Sequence, residues 1–530
     1  MNREEHADDT VLIVGGGPVG MLTALLLARH GLSSTVLERR PRLGDAPRAH
    51  VLNPRSLEIC HAAGLDVDEM RRRATRQPDD QIARFVPHLL DHDIATLPFE
   101  VQDKTHTPFP RMNLRQPLFE SYLAEFVDRE PLIDVRRGHR WIEAAEDAAT
   151  IRSTIATGDV DGDGKYSFTS RYLLGADGAN SAVREAYSIP MRGQQEGRRC
   201  LTISFKANWR EELCDRPAMF YWALSARTPG VFLAHDIAST WTFLAHDVPE
   251  STPDVDSARE IVLDAVGARL PLEITHVIPW LLIAQVADRY QQGRVFLLGD
   301  AAHRFPPTGG LGMNTGIQDS HNLVWKLAAV EAGWAETKLL NTYERERQPV
   351  AEVNARQSLT NAENLLELLS LDEYASRQAI EHAIDRTYDA FNSIGLQLGF
   401  SYGDNAAPPT VRTLEPTARI GDRMPHAWIE KQIGSRTSTL DLLDPLTFTL
   451  LTGNPGRWTD LEIDSAAPFR VVDLNTAGHF PDTWLQLTGL NDMDNALLVR
   501  PDGHIAARLT PADCNVHPST ELHLDQKAQT

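Results

Sequence analysis

The chain is short of cysteine: four residues in 530 (Cys60, Cys200, Cys214 and Cys514) lie far apart and form no CxxC pair. That spacing supplies neither a disulfide framework nor a zinc site, and it fits a reducing cytoplasm. Positive charge is scarce too. The formal charge of −21 disfavours binding to polyanions, nucleic acid and anionic lipid alike. Long apolar runs are also missing. The nearest, Val11 to Ala28, follows Asp8 and Asp9, is interrupted by glycines and precedes no small-residue cleavage site. It therefore reads as strand, turn and helix, not as a leader or a membrane span. With 42% apolar residues, the length suits two to four domains with full cores.

What the sequence does contain begins at Thr10 to Val14, a β-branched apolar run suited to a buried parallel strand. Gly15-Gly16-Gly17-Pro18-Val19-Gly20 follows and fits GxGxxG, then a helical stretch to Arg29, then a second strand ending at Glu38. Gly15 would permit the tight turn, Gly17 the approach of a pyrophosphate, and Gly20 close helix–strand contact. Amides at the helix start, near Pro18, face the phosphates, and Glu38 accepts from ribose hydroxyls, with Arg39 beside it. Alone, GxGxxG is a weak signal; within strand–turn–helix–strand with a correctly placed acid it is specific.

Two further segments stand out. One is Tyr172-Leu-Leu-Gly-Ala-Asp177-Gly178-Ala-Asn-Ser181-Ala-Val-Arg184. The other is Gly299-Asp300-Ala-Ala-His303-Arg-Phe-Pro306-Pro307-Thr-Gly309-Gly310-Leu311-Gly312-Met313-Asn314, with Asp319 beyond. In the latter, an apolar strand delivers Asp300, and a glycine-rich turn opens a helix whose dipole and first amides attract negative charge. Together with the N-terminal fingerprint, these segments resemble the class A flavoprotein aromatic hydroxylases, the family of p-hydroxybenzoate and phenol hydroxylases.

The resemblance implies FAD as cofactor. Asp177 then lies beside the pyrophosphate, Asp300 meets ribityl hydroxyls, and Pro306 and Pro307 wall the reactive ring face. Gly310, Leu311, Gly312, Met313 and Asn314 meet the pyrimidine end of the flavin. Arg48 and Gln116 match family positions near the cofactor and are read as FAD contacts; Glu120, four residues after Gln116, is not. His303 lacks a second ligand at helical spacing, so no metal is expected and a structural role is favoured. A separate nicotinamide fingerprint is absent, which agrees with the family's transient use of NADH or NADPH.

The stretch Pro47-Arg48-Ala49-His50 resembles the dichlorophenol monooxygenase subgroup, which places histidine where phenol hydroxylases carry an active-site aspartate. The weak electrophile formed by the family, a flavin C4a-hydroperoxide, needs a phenol activated by ionisation. With an ordinary pKa of about 6.5, His50 suits a proton acceptor; a loop histidine bonded to backbone is the alternative. Arg55 and Glu58 read as a pair on the helix that follows.

From Cys200 to Asp247 the period changes to short aromatic strands, suggesting an antiparallel sheet over the flavin. Tyr221, Trp222, Phe232, His235, Trp241 and Phe243 are candidate pocket residues, of which alternation lets about half face a ligand; for each, filling the sheet's own core is the competing reading. Beyond Leu339 come helical stretches at Leu339 to Ala355 and Asn361 to Leu398, then a turn-rich linker. The segments Gly421 to His426 and Asn495 to Arg508 resemble the thioredoxin-like tail of phenol hydroxylases, with His426 and Arg500 read as turn-stabilising. That tail holds Cys514 alone, so a structural or dimer-contacting role is expected in place of redox chemistry.

The expected fold is α/β: a Rossmann-like FAD-binding domain (1–80, 110–186 and 285–360) interleaved with an antiparallel-sheet substrate domain (81–109 and 187–284). A helical segment and linker (361–410) lead to a thioredoxin-like α/β domain (411–530). The expected function is hydroxylation of a small phenolic substrate with NAD(P)H and dioxygen. Alternatives are a tailoring hydroxylase of polycyclic polyketides, a flavin oxidoreductase without oxygen insertion, and a non-catalytic flavoprotein.

Overall fold

Val11, Leu12 and Ile13 have no exposed surface, so their strand belongs in the middle of a sheet covered on both faces. In the computed structural model, which describes residues 5–44, 49–75, 81–99, 104–147, 149–158, 164–246, 248, 251–371, 376–403, 408–431, 434–459, 461 and 467–515, that is where it lies. Glu5–Val14 pairs in parallel with Gly164–Gly175 on one side and Ser34–Glu38 on the other, Leu12 opposing Leu173 and Thr35. Val295–Leu297 and Ile133–Arg137 extend the sheet outward, also in parallel. Because these strands share one direction, Gly15, Glu38, Ala176 and Leu298 all emerge at the same edge, where ligands bind in parallel α/β sheets. Helices Pro18–Arg29 and Leu311–Glu331 start from this edge and pack together, Thr23 donating to Ser320 at 2.8 Å.

A second sheet has seven strands in the order Glu273–Leu282, Arg198–Lys206, Thr240–His246, Gly230–Asp236, Phe220–Ala223, Ile82–Val86 and Ala95–Pro98. It departs from the expected purely antiparallel pattern at one joint: Phe220–Ala223 runs parallel to Ile82–Val86. A strand from well before the sheet's main run enters there, so no hairpin dictates its direction. One face of the sheet packs on helix Val255–Val266. The other packs on helices Thr342–Leu369 and Arg377–Arg386. Thr342–Leu369 is one helix of 28 residues, where the sequence suggested a break between Ala355 and Asn361; no helix breaker lies between those positions to end it.

The C-terminal sheet has the order Phe469–Asp473, Phe448–Thr452, Ala496–Val499, Ile505–Leu509. Its first pair is parallel and the others antiparallel, the thioredoxin-like arrangement. Among the described residues no helix is long and apolar enough to cross a membrane, and no group of His, Cys, Asp and Glu could hold a metal ion.

Buried charge ties this module to the rest. Arg423 holds Glu58 through Nε at 2.9 Å and Nη2 at 2.5 Å, Arg55 reaches the same carboxylate at 3.0 Å, and Thr107 donates to it at 2.7 Å. Arg55 also donates to the Asp502 carbonyl at 2.6 Å. Arg500 grips Glu346 through two bonds of 2.7 and 2.9 Å and also bonds Asp502, the turn acid. The expected Arg55–Glu58 pair and the turn role of Arg500 are thus fragments of a larger ionic contact. Removing one partner of such a pair leaves a buried charge unpaired and costs about 3–5 kcal/mol. Arg423→Ala is expected to lower the unfolding free energy by that amount, read from urea midpoints of the full chain; an unchanged midpoint would show the contact to be superficial.

Acid should loosen the same structure. Burial lowers His426 to about 4 and holds His235 and His504 below their ordinary value of 6.5. Neutral histidines of this kind contribute stability that is complete above pH 6.5 and declines as pH falls towards the folded values, because the unfolded chain takes up protons first. Burial opposes ionisation of Glu346, but Arg500 and Lys326 outweigh it and bring its pKa from 4.5 to about 2. Its contribution persists above 4.5 and is lost between there and 2. The urea midpoint should therefore begin to fall below pH 6.5 and steepen below 4.5; a level profile from pH 7.5 to 5 would contradict this burial.

Candidate active site

The N-terminal turn is built by close contacts that leave one gap. Gly15 has φ +113°, and a Cβ there would lie 2.2 Å from the Ala176 carbonyl oxygen; one at Gly20 would lie 1.9 Å from that of Gly15. Neither position tolerates a side chain. Gly17, in ordinary extended conformation, has nothing within 4 Å of its would-be Cβ. It precedes Pro18 at the start of a helix that no side chain caps, so unpaired N–H groups face open space. Glu38 borders the gap, accepting from the Gly16 N–H at 3.0 Å and from Arg40 Nε at 3.0 Å. Its cationic partner is thus Arg40; Arg39 is exposed. Asp177, at the end of the neighbouring strand, accepts from the Val183 N–H at 3.2 Å through Oδ2, while buried Oδ1 has no partner and burial pushes the carboxyl pKa up. An open gap lined by helix amides, an acid positioned for hydroxyls and an unmet carboxylate oxygen suit the dinucleotide of FAD.

The second turn is clamped from behind. Ser358, on helix Thr342–Leu369, donates to the carbonyls of Pro306 and Thr308, both at 2.9 Å, and accepts at its own carbonyl from Thr308 Oγ1 at 2.6 Å. Pro306 is buried and Pro307 exposed. Gly310 adopts the left-handed conformation (φ +63°) that redirects the chain into Leu311–Glu331, so the amides of Leu311, Gly312 and Met313 begin the helix. Exposed Asp300 lies across the turn, 3.9 Å from where a Cβ of Gly312 would sit. Beneath it, fully buried Asp319 accepts from the Gly299 N–H at 3.2 Å, His303 at 2.9 Å and Arg347 at 2.8 Å. His303 is thereby structural.

Asn314 connects this turn to the strand Val51–Leu52, which His50 precedes. Its Nδ2 donates to the carbonyls of Gly310 at 2.6 Å and Val51 at 3.0 Å, and its Oδ1 accepts from the Asn53 N–H at 2.9 Å. The side chain is therefore spent on the scaffold. Gln116 does likewise for the preceding loop, exchanging two bonds with Ala49 while its Nε2 donates to Glu120 at 2.7 Å. Arg48 lies outside the described residues.

His50 thus lies next to the strand position that touches Gly310. Its Nδ1 is 3.1 Å from Oδ1 of Asn113. An amide oxygen only accepts, so Nδ1 carries the hydrogen and Nε2 is the acceptor nitrogen. The ring meets Phe220 edge-on at 5.7 Å and His235 at 5.5 Å, and His235 Nε2 is 3.1 Å from Thr242 Oγ1. Burial, the largest effect, lowers His50 to about 4; the Asn113 hydrogen bond opposes it and Arg111 adds to it. The expected value of about 6.5 is corrected accordingly: this imidazole stays neutral. Trp222 shares an apolar cluster with Phe220 and Val51. Tyr221 points the other way, buried with Phe232, Trp241 and Phe243, its hydroxyl donating to the Arg216 carbonyl at 2.8 Å. Alternation along one strand thus separates Trp222 from Tyr221 and does not bring the latter to His50. Asn113 and Ser358 escaped the sequence reading, because a two-residue strand and one serine in a long helix carry no periodic or motif signal.

Residues 8–358 match the family model described as FAD binding domain, and residues 417–525 that described as aromatic-ring hydroxylase, C-terminal. The 2,4-dichlorophenol 6-monooxygenase of Cupriavidus pinatubonensis is 30% identical, covering 95% of this chain and 94% of that protein. The tetracenomycin A2 monooxygenase-dioxygenase of Streptomyces glaucescens is 32% identical over 94% of this chain and 93% of its own. The flavin-dependent monooxygenase PieE, solved with FAD and substrate, superposes with a TM-score of 0.85 at 29% identity, covering 96% of this chain and 97% of its own.

The two glycines make opposite predictions. Gly17→Ala should leave the unfolding midpoint of the flavin-free protein within error yet weaken FAD binding at least about tenfold, since it fills only the gap. Gly20→Ala should destabilise the protein by about 1–3 kcal/mol, since it drives the helix off the strand. Fluorescence titration with FAD and urea unfolding separate these effects; equal behaviour of the two variants would contradict the gap's role.

Proposed function

The chain belongs to the FAD-binding aromatic-ring hydroxylases, FAD-dependent monooxygenases, and from this premise we propose that it hydroxylates a phenolic ring ortho or para to the oxygen, using NADH or NADPH and dioxygen. FAD, when bound, supplies the activation of dioxygen. In the proposed arrangement Gly15, Gly17, Pro18, Gly20, Glu38 and Asp177 hold its dinucleotide. Asp300 and the turn from Pro307 to Met313 hold its flavin end, with Pro306 and Trp222 bordering the substrate.

The observation that carries the reading is His50: a neutral imidazole with Nε2 as its acceptor nitrogen, one residue from the strand position that touches the glycine-rich turn. Its role is to take the phenol proton. Burial, the main cause of the low pKa, and Arg111 keep this imidazole in the neutral form that can accept a proton at Nε2. A polycyclic polyketide substrate is the second reading, supported by the tetracenomycin relative at almost full coverage.

NAD(P)H consumption against a panel of phenols and polycyclic polyphenols, with products analysed under labelled dioxygen, tests the reaction. One labelled atom in the product is expected; an unlabelled oxidised product would reassign the enzyme to two-electron oxidation. His50→Ala should lower product per NAD(P)H at least about tenfold and release the difference as peroxide. An unchanged coupling ratio would remove His50 from the mechanism.

A further inference from the structure

Three consecutive carbonyls of the proline turn are occupied, two of them by one side chain. Ser358, which has no exposed surface, stands 2.9 Å from the carbonyl oxygens of Pro306 and Thr308. A hydroxyl has a single hydrogen, so the two oxygens share it. Thr308 returns the contact, its Oγ1 donating to the Ser358 carbonyl at 2.6 Å. The carbonyl between them, that of Pro307, accepts from the Gly310 N–H at 3.1 Å. The same helix also holds the segment that follows. Asn354 donates from Nδ2 to Thr315 Oγ1 at 2.9 Å, and Thr315 Oγ1 donates to the Leu311 carbonyl at 2.8 Å. Arg347 donates to the Thr315 carbonyl at 3.2 Å. Spacings of seven and four residues put Arg347, Asn354 and Ser358 on one stripe of helix Thr342–Leu369. Ser358 is the member of that stripe that faces the prolines.

We infer that Ser358 is a positioning residue for the flavin: it draws the carbonyl oxygens of Pro306 and Thr308 towards helix Thr342–Leu369 and so favours the reduced, negatively charged state of the cofactor. This rests on reading the turn from Pro307 to Met313 as the holder of the flavin end. Reduction adds negative charge to the flavin ring, and a protein tunes that balance through the charges and dipoles it places nearby. The helix that begins at Leu311 offers N–H groups and a positive dipole end. Carbonyl oxygens turned to the same side would cancel part of that attraction, because each is the negative end of its own peptide dipole. With Ser358 in place both oxygens point to the helix behind the turn. Without its hydroxyl the two peptide planes lose their shared donor and can rotate. Oxidised flavin, being neutral, is indifferent to that rotation; the reduced form is not. Ser358 thus acts on the cofactor through the backbone of the turn and not by contact.

The test uses the full chain loaded with FAD and needs no substrate. The midpoint potential of the bound flavin is read against a redox indicator dye, and the affinity for oxidised FAD by fluorescence titration. Ser358→Ala should bind oxidised FAD almost as the wild type does but hold reduced FAD about tenfold less well relative to it, a fall in potential of about 30 mV for a two-electron couple. Ser358→Thr, which keeps the hydroxyl, should keep the wild-type potential. Thr308→Val, which removes the reciprocal bond, should shift the potential in the same direction as Ser358→Ala and serves if that variant does not fold. A potential unchanged in the variants, or an equal loss of affinity for oxidised and reduced FAD, would overturn the role of Ser358 and leave the cofactor site standing. Failure of the wild type to bind FAD would overturn both.

Discussion

The site depends on one fully buried carboxylate. Asp319 joins the Gly299 amide, the His303 ring and the Arg347 guanidinium, which in turn donates to the Thr315 carbonyl at 3.2 Å. These groups come from the turn that begins at Gly299, the short strand His303–Arg304 and two helices, so one anion fixes four backbone segments relative to each other. Burial raises the cost of that charge, and Arg347 and His303 outweigh it, holding the carboxyl below its ordinary range. Excised from this surround, any of the three would be an uncompensated buried charge or donor. The glycine turn above it can therefore be open and still rigid, as a preorganised cofactor site requires.

From that anchor, order spreads towards the substrate side through neutral hydrogen bonds. Asn314 carries it from the turn to Val51 and Asn53, and Gln116 from helix Gln116–Val127 to Ala49. His50 lies between these two fastenings. Its orientation is a product of backbone pairing on either side, and its tautomer a product of Asn113. The mixed sheet closes the other side, and its alternation sorts aromatic residues into two populations. Phe220 and Trp222 face helices Thr342–Leu369, which also clamps the turn at Pro306 to Thr308, and Arg377–Arg386, whereas Tyr221, Phe232 and Trp241 form a separate core.

The thioredoxin-like module joins the same framework through ions and not through the apolar surface alone. Glu58, on the helix that follows His50, receives Arg423, and Glu346, one residue before Arg347, receives Arg500. Both anchoring acids are thus close in sequence to residues that organise the site. A module without a cysteine pair thereby acquires a definite mechanical role, that of holding the helices behind the active site.

Local pattern was enough for the dinucleotide cradle, the strands of the second sheet near Phe232 and Trp241, and the turn at Pro501 to Gly503. In each case the signal is carried by neighbouring residues whose spacing follows from backbone geometry. Such spacing says nothing of which distant side chain meets which. The partnership of His50 with Asn113, the convergence of His303 and Arg347 on Asp319, and the face to which Tyr221 turns depend on segments far apart in the chain. So does the proton affinity of His50, read from its residue type as about 6.5 and brought to about 4 by its surroundings. Residue types and their local order decide that there will be a glycine turn, a strand or an imidazole. Burial and contact between remote segments, which exist only after folding, decide its charge and what it touches.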